Sequence, residues 1–193
     1  MTDDFPALAT RRLRLRELAA DDAQALFRIQ GDPQVMRWFG CDPLHDLAAA
    51  RQQIDNFNAL RRLPSPGVRW AIEPRSGPLA GRLAGTCGLF KWNRGWQVCM
   101  VGYELAPEAQ GRGYMREALR EVFAWAFTQM GLARVEAQVH PDNAASLATL
   151  AALGFVREGL QREAASWGGR RHDMVMLGLL PAGFRPADAG QDP

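Results

Sequence analysis

The sequence predicts an α+β domain built around one mixed β-sheet. Some segments alternate apolar and polar residues, which is typical of half-buried strands, and others carry apolar residues every three or four positions, which is typical of amphipathic helices. Three strand segments follow one another directly, as in an antiparallel meander, and a long helix then separates the third from the next strand. That crossover makes those two strands parallel or nearly so. We expect about six to seven strands and about four helices.

The first segments predict a strand followed by two helices. Residues 11–18, RRLRLREL, place leucines on one face and arginines on the other. The acidic pair at 21–22 caps a short helix, which GDP at 31–33 stops. A second amphipathic helix begins behind Asp46 and ends before Pro64.

The middle of the chain predicts the meander and the longest helix. Runs rich in Val, Ile, Trp and Tyr indicate strands at 68–72, 83–92 and 97–105. Residues 115–130 then carry a continuous apolar stripe, with Gly131 placed as a C-cap.

The last third predicts a strand, a helix and a final strand. These elements cover residues 134–140, 145–153 and 172–180, and Gly154 stops the helix. The sequence after Leu180 is rich in Pro, Gly, Ala and Asp, a composition that favours fraying. We therefore predict one domain over residues 1–180 and a frayed C-terminal tail over residues 181–193.

Length and composition fit a single globular domain. The chain has 193 residues, of which 47% are hydrophobic, and a chain of this length buries enough surface to fold without a metal or disulfide staple. The net charge of +2 arises from 23 basic and 21 acidic residues. This balance predicts neither a nucleic-acid nor a membrane partner.

Cysteine usage and the N-terminus favour a cytoplasmic location. Cys41, Cys87 and Cys99 form no CxxC pair, which argues against a disulfide framework and a zinc ribbon. The acidic N-terminal residues do not resemble a signal peptide, and no stretch of 18 apolar residues occurs. We expect no metal site.

The most informative segment is QGRGYM at 110–115, between a strand and the start of the longest helix. The N-terminus of a helix attracts anions through its unpaired N–H groups and the helix dipole, and glycines at 111 and 113 let phosphate approach the backbone. Arg112 and Arg116 could add positive charge. The alternative is that the two glycines only form a tight turn. The segment matches neither the Rossmann fingerprint nor the P-loop.

This segment resembles the Q/R-x-x-G-x-G/A pyrophosphate loop of the GNAT superfamily of acetyl-CoA-dependent N-acetyltransferases. The match extends over roughly residues 8–180 and is similar to the RimJ/RimL-type branch, which acetylates ribosomal-protein N-termini. It rests on four segments: TRRLRLREL at 10–18, GTCGLFKWN at 85–93, VGYELAPEAQGRGYMREAL at 101–119 and HPDNAASLATLAALGFVREG at 140–159. The resemblance implies a GNAT fold with a splay between the fourth and fifth strands.

The resemblance also implies where acetyl-CoA binds. The cosubstrate would lie in that splay, with backbone groups at Glu104 and Leu105 against its pantetheine and the loop amides against its pyrophosphate. The cofactor-binding residues implied are Leu105, Gln110, Gly111, Arg112, Gly113, Tyr114, Met115 and Asn143. Ser146 matches a residue proposed to stabilise or protonate the departing thiolate. Alternatively, Asn143 is a helix N-cap and Ser146 an ordinary surface residue.

The general base is not defined by the sequence. Many relatives carry an acid where this chain has Met100, and a second expected acid falls near Ala165, two residues from Glu163. Glu104, Glu163 and a water chain remain as candidates. We take Glu104 and Ser146 as the catalytic residues.

The weak evidence for a general base favours an acceptor amine of low pKa. An α-amine, with a pKa near 8, is about one-tenth neutral at pH 7, whereas a lysine side chain is neutral in about one molecule per few thousand. We therefore predict direct acetyl transfer to the α-amine of a protein or peptide, in a ternary complex and without an acyl-cysteine. The alternatives are a small-molecule amine, such as a polyamine or an antibiotic, and a non-catalytic CoA-binding module. A homodimer is possible.

The acceptor pocket is predicted between the first two helices and the strand loops. Trp38, Phe39, Trp92 and Trp96 are its candidate lining residues, although packing explains each tryptophan alone better than recognition does.

Overall fold

The structure is a computed structural model that describes residues 4–64 and 66–186. The described residues form eight strands and five α-helices. The strands are β1 (Leu8–Ala9), β2 (Leu13–Arg16), β3 (Val68–Pro74), β4 (Gly85–Asn93), β5 (Val98–Leu105), β6 (Arg134–Val139), β7 (Val156–Trp167) and β8 (Arg170–Leu179). The helices are α1 (Ala23–Gln30), α2 (Pro33–Met36), α3 (Leu47–Ala59), α4 (Tyr114–Gln129) and α5 (Ala144–Leu153). The predicted α+β class is confirmed, with slightly more strands than expected.

All eight strands belong to one sheet, in the order β1-β2-β3-β4-β5-β6-β8-β7. Its one parallel pair among the described residues is β5 with β6, and this pairing covers only Val98–Met100 opposite Arg134–Glu136. Beyond it, β5 continues to Leu105 and β6 to Val139 without pairing to each other. The predicted splay therefore lies between these two strands. They are the fifth and sixth because the two-residue β1 was not predicted.

The structure differs from the sequence prediction at two further elements. Strand β7 was missed because it is an edge strand, and its exposed residues show no apolar alternation. The GDP at 31–33 ends α1 as predicted, but it also starts α2. The carboxylate of Asp32 accepts a hydrogen bond from the backbone N–H of Gln34, and Pro33 occupies the first helical position.

Helices pack on both faces of the sheet. Alternate residues of β3 show this, since Trp70 and Ile72 lie in a core cluster with Leu119 and Phe123 of α4. Ala71 lies in a second cluster with residues of α1 and α3 on the opposite face. The cleft described below opens at the ends of β5 and β6, where no strand fills the sheet.

The packed part of the chain extends past the predicted domain end. Residues Pro181–Gly183 form a 3-10 turn, and the ring of Phe184 packs against Phe123 and Phe127 at centroid distances of 6.3 and 5.6 Å. The predicted boundary at residue 181 is therefore too early, because residues 181–184 are folded against the domain. The rest of the predicted tail, residues 187–193, lies outside the described residues. Within the described ranges, no helix is both long and apolar enough to cross a bilayer.

Candidate active site

The splay between β5 and β6 opens into a cleft of about 1220 Å³. Nearly all of the predicted site residues line it: Glu104, Leu105, Gln110, Gly111, Gly113, Tyr114, Met115, Asn143 and Ser146. Arg112 does not, because its side chain turns back along the loop and its Nε donates to the carbonyl oxygen of Glu108 at 2.8 Å. The structure therefore gathers residues more than 40 positions apart around one cavity.

The glycine loop leaves the N-terminus of α4 open toward the cleft. Gly111 and Gly113 have φ angles of +71° and +74°, in the left-handed region that favours glycine. Gly113 is the N-cap of the 16-residue helix, and no side chain caps that end. A Cβ at Gly111 would meet no atom within 4 Å. This uncovered helix N-terminus, with space in front of it, fits a pyrophosphate.

Arg12 holds this loop in place, a role that the sequence analysis missed. Its Nη1 donates to the carbonyl oxygen of Arg112 at 3.0 Å, and its Nε forms an ion pair with Glu117 at 2.5 Å. Burial opposes ionisation of Glu117, but hydrogen bonds from Thr10 and Arg12 outweigh it and lower the pKa of this carboxyl. The sequence shows Glu117 in the first turn of the helix, where the helix dipole favours a carboxylate, but nothing local indicates that Arg12 would pair with it.

Gln110 closes the other end of the loop. Its Nε2 donates to the carbonyl oxygen of Leu105 at 3.2 Å, across the short turn that follows β5. The side-chain amide of Gln110 therefore stabilises the turn between β5 and the loop.

A hydroxyl pair joins the two walls of the cleft. The Oη of Tyr103 on β5 and the Oγ of Ser146 on α5 lie 2.7 Å apart. The Oδ1 of Asn143 accepts a hydrogen bond from the Ser146 backbone N–H at 3.1 Å, so Asn143 does cap α5, as its alternative interpretation predicted. Burial raises the pKa of Tyr103 to about 12, although the bond to Ser146 acts in the opposite direction. Tyr103 is therefore a neutral phenol at physiological pH.

Glu104 lies in a buried polar network in the cleft wall. Its Oε1 accepts hydrogen bonds from Thr86 Oγ1 at 2.6 Å and from Gln30 Nε2 at 2.9 Å, and its Oε2 forms an ion pair with Arg69. The Arg69 guanidinium also donates to Thr86 at 2.7 Å and to the carbonyl oxygen of Gly102 at 2.8 Å. Both carboxylate oxygens of the predicted base are thus engaged by protein donors.

The other base candidate does not reach the cleft. Ala165 lines the cleft, but Glu163 does not. Glu163 has a φ of +50° in an irregular stretch of β7, and its N–H donates to Asp173 Oδ1 at 2.8 Å. Because the register of β7 shifts between Gln161 and Ala165, the side chain that lines the cleft is Ala165 and not Glu163.

The acceptor side of the cleft is aromatic. Trp38, Phe39 and Phe57 line it, and the Arg69 guanidinium lies 5.7 Å from the ring centre of Phe39 and 4.9 Å from that of Phe57. Trp92 and Trp96 do not line the cleft, so the alternative of packing holds for Trp92. Trp92 packs on the core with Arg94 over its ring, and Trp96 is 78% exposed in the turn after β4.

A stack of rings ties the Trp38 segment to the rest of the protein. Trp38 stacks on His140 with the centroids 4.0 Å apart, and Trp167 stacks on His172 at 3.6 Å. Trp167 also donates from Nε1 to the carbonyl oxygen of Arg37 at 3.2 Å. Burial lowers the pKa of His140, and the nearby charge of Asp142 only partly offsets this. The aromatic wall is thus fixed to the loop before α5 and to the β7–β8 hairpin.

Charged residues around the cleft are few. Among residues 4–64 and 66–186, the carboxylates that line it are Glu104 and Asp142, and the cations are Arg69, Lys91 and Arg116. Lys91 is the single lysine of the sequence, and it has a φ of +54° at the register shift near the end of β4.

Comparison with known proteins decides the family. The family described as Acetyltransferase (GNAT) domain matches residues 12–156. The chain belongs to the GNAT acetyltransferases. The resemblance stated from its sequence is confirmed, and with it an acetyl-CoA-dependent N-acetyltransferase activity.

This GNAT acetyltransferase has relatives of more than one kind. It is 33% identical over 176 residues to the uncharacterized N-acetyltransferase YoaA of Bacillus subtilis strain 168, covering 91% of this chain and 97% of YoaA. It is 30% identical over 91 residues, 47% of each chain, to the ribosomal protein uS5-alanine N-acetyltransferase of Escherichia coli K12. Its fold is similar to that of the spermidine N-acetyltransferase of Vibrio cholerae, solved with CoA and spermine, with a TM-score of 0.76, 20% identity, and coverage of 90% and 98%.

Proposed function

We propose that this acetyltransferase modifies the α-amine of a protein or peptide N-terminus. The observation that carries the proposal is the charge balance of its cleft. The similarity over 91 residues to a ribosomal protein uS5-alanine N-acetyltransferase, an enzyme with a protein acceptor, supports it.

The charge balance disfavours a polyamine acceptor. Spermine and its relatives carry several positive charges and need several anionic partners. Among the described residues that line this cleft, three cations stand against two carboxylates, and the Arg69–Glu104 ion pair engages one charge of each sign. The described lining therefore offers no cluster of carboxylates to a polycation. A polycation in this cleft would lie beside positive side chains, and placing like charges next to each other costs free energy.

A peptide N-terminus suits the same cleft. It brings one amine, which reacts in its neutral form, together with backbone groups that need hydrogen bonds. The aromatic side chains at 38, 39 and 57 offer apolar contact, and Gln34, Gln53 and Asn56 offer amide donors and acceptors in the lining.

The reaction we propose is direct attack in a ternary complex. The amine nitrogen forms a bond to the thioester carbonyl carbon, the C–S bond breaks with its electron pair on sulfur, and the nitrogen loses one proton. Because both oxygens of Glu104 are engaged, we assign that proton to water in the cleft. An α-amine permits this, since it is partly neutral at pH 7.

We propose that the loop at 110–115 and Asn143 hold acetyl-CoA, through the backbone amides of Gly111 to Met115 above all. Leu105 and Glu104 would offer backbone groups to the pantetheine, and Ser146 a hydroxyl to the departing thiolate. Arg112 would contribute only a charge that salt screens, because its exposed guanidinium turns back along the loop and donates to the backbone carbonyl oxygen of Glu108.

A thiol-release assay with a matched amine panel tests the acceptor. The panel contains a peptide with a free N-terminus and no lysine, the same peptide with its N-terminus blocked, and spermine. We expect release of CoA thiol with the free peptide and at least tenfold less with the other two. Faster turnover of spermine would assign a polyamine acceptor instead. Inactivity with every amine, in a protein that binds acetyl-CoA at micromolar concentration, would favour the non-catalytic module.

A further inference from the structure

We propose that Tyr103 is a positioning residue that turns the hydroxyl of Ser146 toward the sulfur of the leaving CoA. The inference rests on the proposed function, because it assumes that CoA departs next to Ser146. It starts from the 2.7 Å contact between the two side-chain oxygens.

The contact lies where the sheet has opened. Tyr103 is three residues beyond Met100, the last residue of β5 that pairs with β6. Ser146 belongs to the first turn of α5, which follows β6. Both residues line the cleft, so the hydroxyl pair bridges its two walls inside the space assigned to the cosubstrate.

The backbone of Ser146 is already fixed, but its hydroxyl hydrogen is not. The Asn143 cap holds the Ser146 N–H at 3.1 Å. A serine hydroxyl has one donor and two acceptor sites, and the hydrogen rotates to suit its neighbours. If Ser146 donates to Tyr103, its hydroxyl proton is not free to bind the thiolate of CoA. If Tyr103 donates, the Ser146 proton points elsewhere.

The chemistry of the pair favours Tyr103 as donor. A phenol is a stronger acid than an aliphatic alcohol and hence the better hydrogen-bond donor to it. The half-buried phenol also keeps its proton at physiological pH, since desolvation in the cleft wall raises its pKa. With one Ser146 acceptor site filled by Tyr103, its own O–H is directed into the cleft. A hydroxyl aimed there stabilises a thiolate, because hydrogen bonds to a charged group are stronger than those to a neutral one.

The first test uses bound CoA and needs no acceptor. The thiol of CoA is titrated on the protein by the ultraviolet absorbance of its thiolate, as a difference from protein without CoA. A donated hydrogen bond favours the charged form and lowers the thiol pKa. We expect Ser146→Ala and Tyr103→Phe each to raise that pKa toward the value of free CoA. The double variant should match Ser146→Ala.

The second test is a double-mutant cycle on turnover. Tyr103→Phe should lower kcat about tenfold and change KM for acetyl-CoA less than twofold, because the hydroxyl acts on the transition state. In the Ser146→Ala background the same change should cost nothing further, since Tyr103 acts through Ser146. Thr128→Ala is the control and should leave kcat unchanged. The Thr128 hydroxyl donates at 2.8 Å to the carbonyl oxygen of Ala124 within α4 and lies outside the cleft lining.

Each other result overturns a defined part of the inference. A thiol pKa that moves with Ser146→Ala but not with Tyr103→Phe would remove Tyr103 from the site. A tenfold loss from Tyr103→Phe that persists in the Ser146→Ala background would show that Tyr103 acts independently. Failure of the wild-type protein to bind CoA would overturn the proposed function and this inference together. Lack of a productive acceptor would leave the thiol titration decisive.

Discussion

Arg69 on β3 and Glu104 on β5 form a buried ion pair across the intervening strand β4. The Arg69 side chain can cross because the strand positions beneath it are glycines. A Cβ at Gly88 would lie 2.7 Å from Arg69 Cδ, and a Cβ at Gly102 would lie 3.4 Å from its Nη1. Two residues without side chains thus give a charged side chain its path to the cleft.

The first prediction concerns the stability of this pair. Glu104→Gln keeps the shape of the side chain but leaves the Arg69 charge uncompensated. We expect the free energy of unfolding to fall by about 3 kcal/mol, since removing one partner of a buried pair leaves an unpaired charge. Urea denaturation measures this. The double variant Arg69→Met, Glu104→Gln should recover part of the loss, and a Glu104→Gln protein as stable as wild type would contradict the assignment.

The same variant tests the predicted catalytic role of Glu104. If water takes the proton, folded Glu104→Gln should keep its turnover with a free peptide within tenfold of wild type, with the same pH profile. A loss of more than a hundredfold together with a changed pH profile would restore Glu104 as the general base.

The second prediction concerns the glycine loop. Gly111→Ala places a methyl group in the open space before α4, where we place phosphate, and should weaken acetyl-CoA at least tenfold, about 1.4 kcal/mol. Gly81→Ala is a matched control, because Gly81 has the same φ of +71° and equally open surroundings, but lies outside the cleft lining.

Both alanine variants should lose about 1 to 2 kcal/mol of stability from the left-handed backbone. Only Gly111→Ala should change the calorimetric affinity. Gly113 is a less clean site, because a Cβ there would lie 3.3 Å from Arg12 Nη2 and disturb its contacts. Unchanged binding by folded Gly111→Ala would mean that the pyrophosphate lies elsewhere.

The third prediction compares three arginines by their effect on cosubstrate affinity. Arg12→Ala removes the contact to the Arg112 carbonyl and leaves the Glu117 charge uncompensated in the first turn of α4, so acetyl-CoA should bind at least tenfold more weakly. Arg112→Ala should cost less, and mainly at low salt. Arg14→Ala, an exposed neighbour on β2, is the control. Calorimetry at two salt concentrations checks the order, and equal losses for all three would point to net charge alone.

The fourth prediction concerns direct transfer. Burial raises the pKa of Cys87 and of Cys99 to about 12, so both are thiols at physiological pH and poor nucleophiles. Replacing either by alanine should leave the turnover of the folded protein within tenfold. Mass spectrometry of the enzyme mixed with acetyl-CoA should show no acetyl-cysteine, and a stable one would overturn the ternary-complex mechanism.

The sequence sufficed for those parts of the molecule that depend on local patterns. The stripe of α4, each meander strand and the glycine loop are encoded in short runs of consecutive residues, and each lies where it was predicted. The partners that decide chemistry are not local. In the sequence, Arg69 is one residue of a predicted strand, and nothing local shows that Glu104 of β5 is its partner. Likewise, the alternation at residues 11–18 predicts that Arg12 faces solvent, whereas in the structure it pairs with Glu117 of α4. Edge strand β7 was missed because exposure removes the apolar signal on which strand prediction depends.

Lys91 gives the site a further chemical property. Guanidinium groups stay protonated and do not react with thioesters, whereas a fraction of any lysine is a free amine that does. One of the 23 lysine and arginine residues of this chain is a lysine, and it lines the cleft. Lys91 is therefore the one side-chain amine of the sequence that acetyl-CoA could acylate. An amine-reactive label on a side chain would therefore report on the cleft that Lys91 lines.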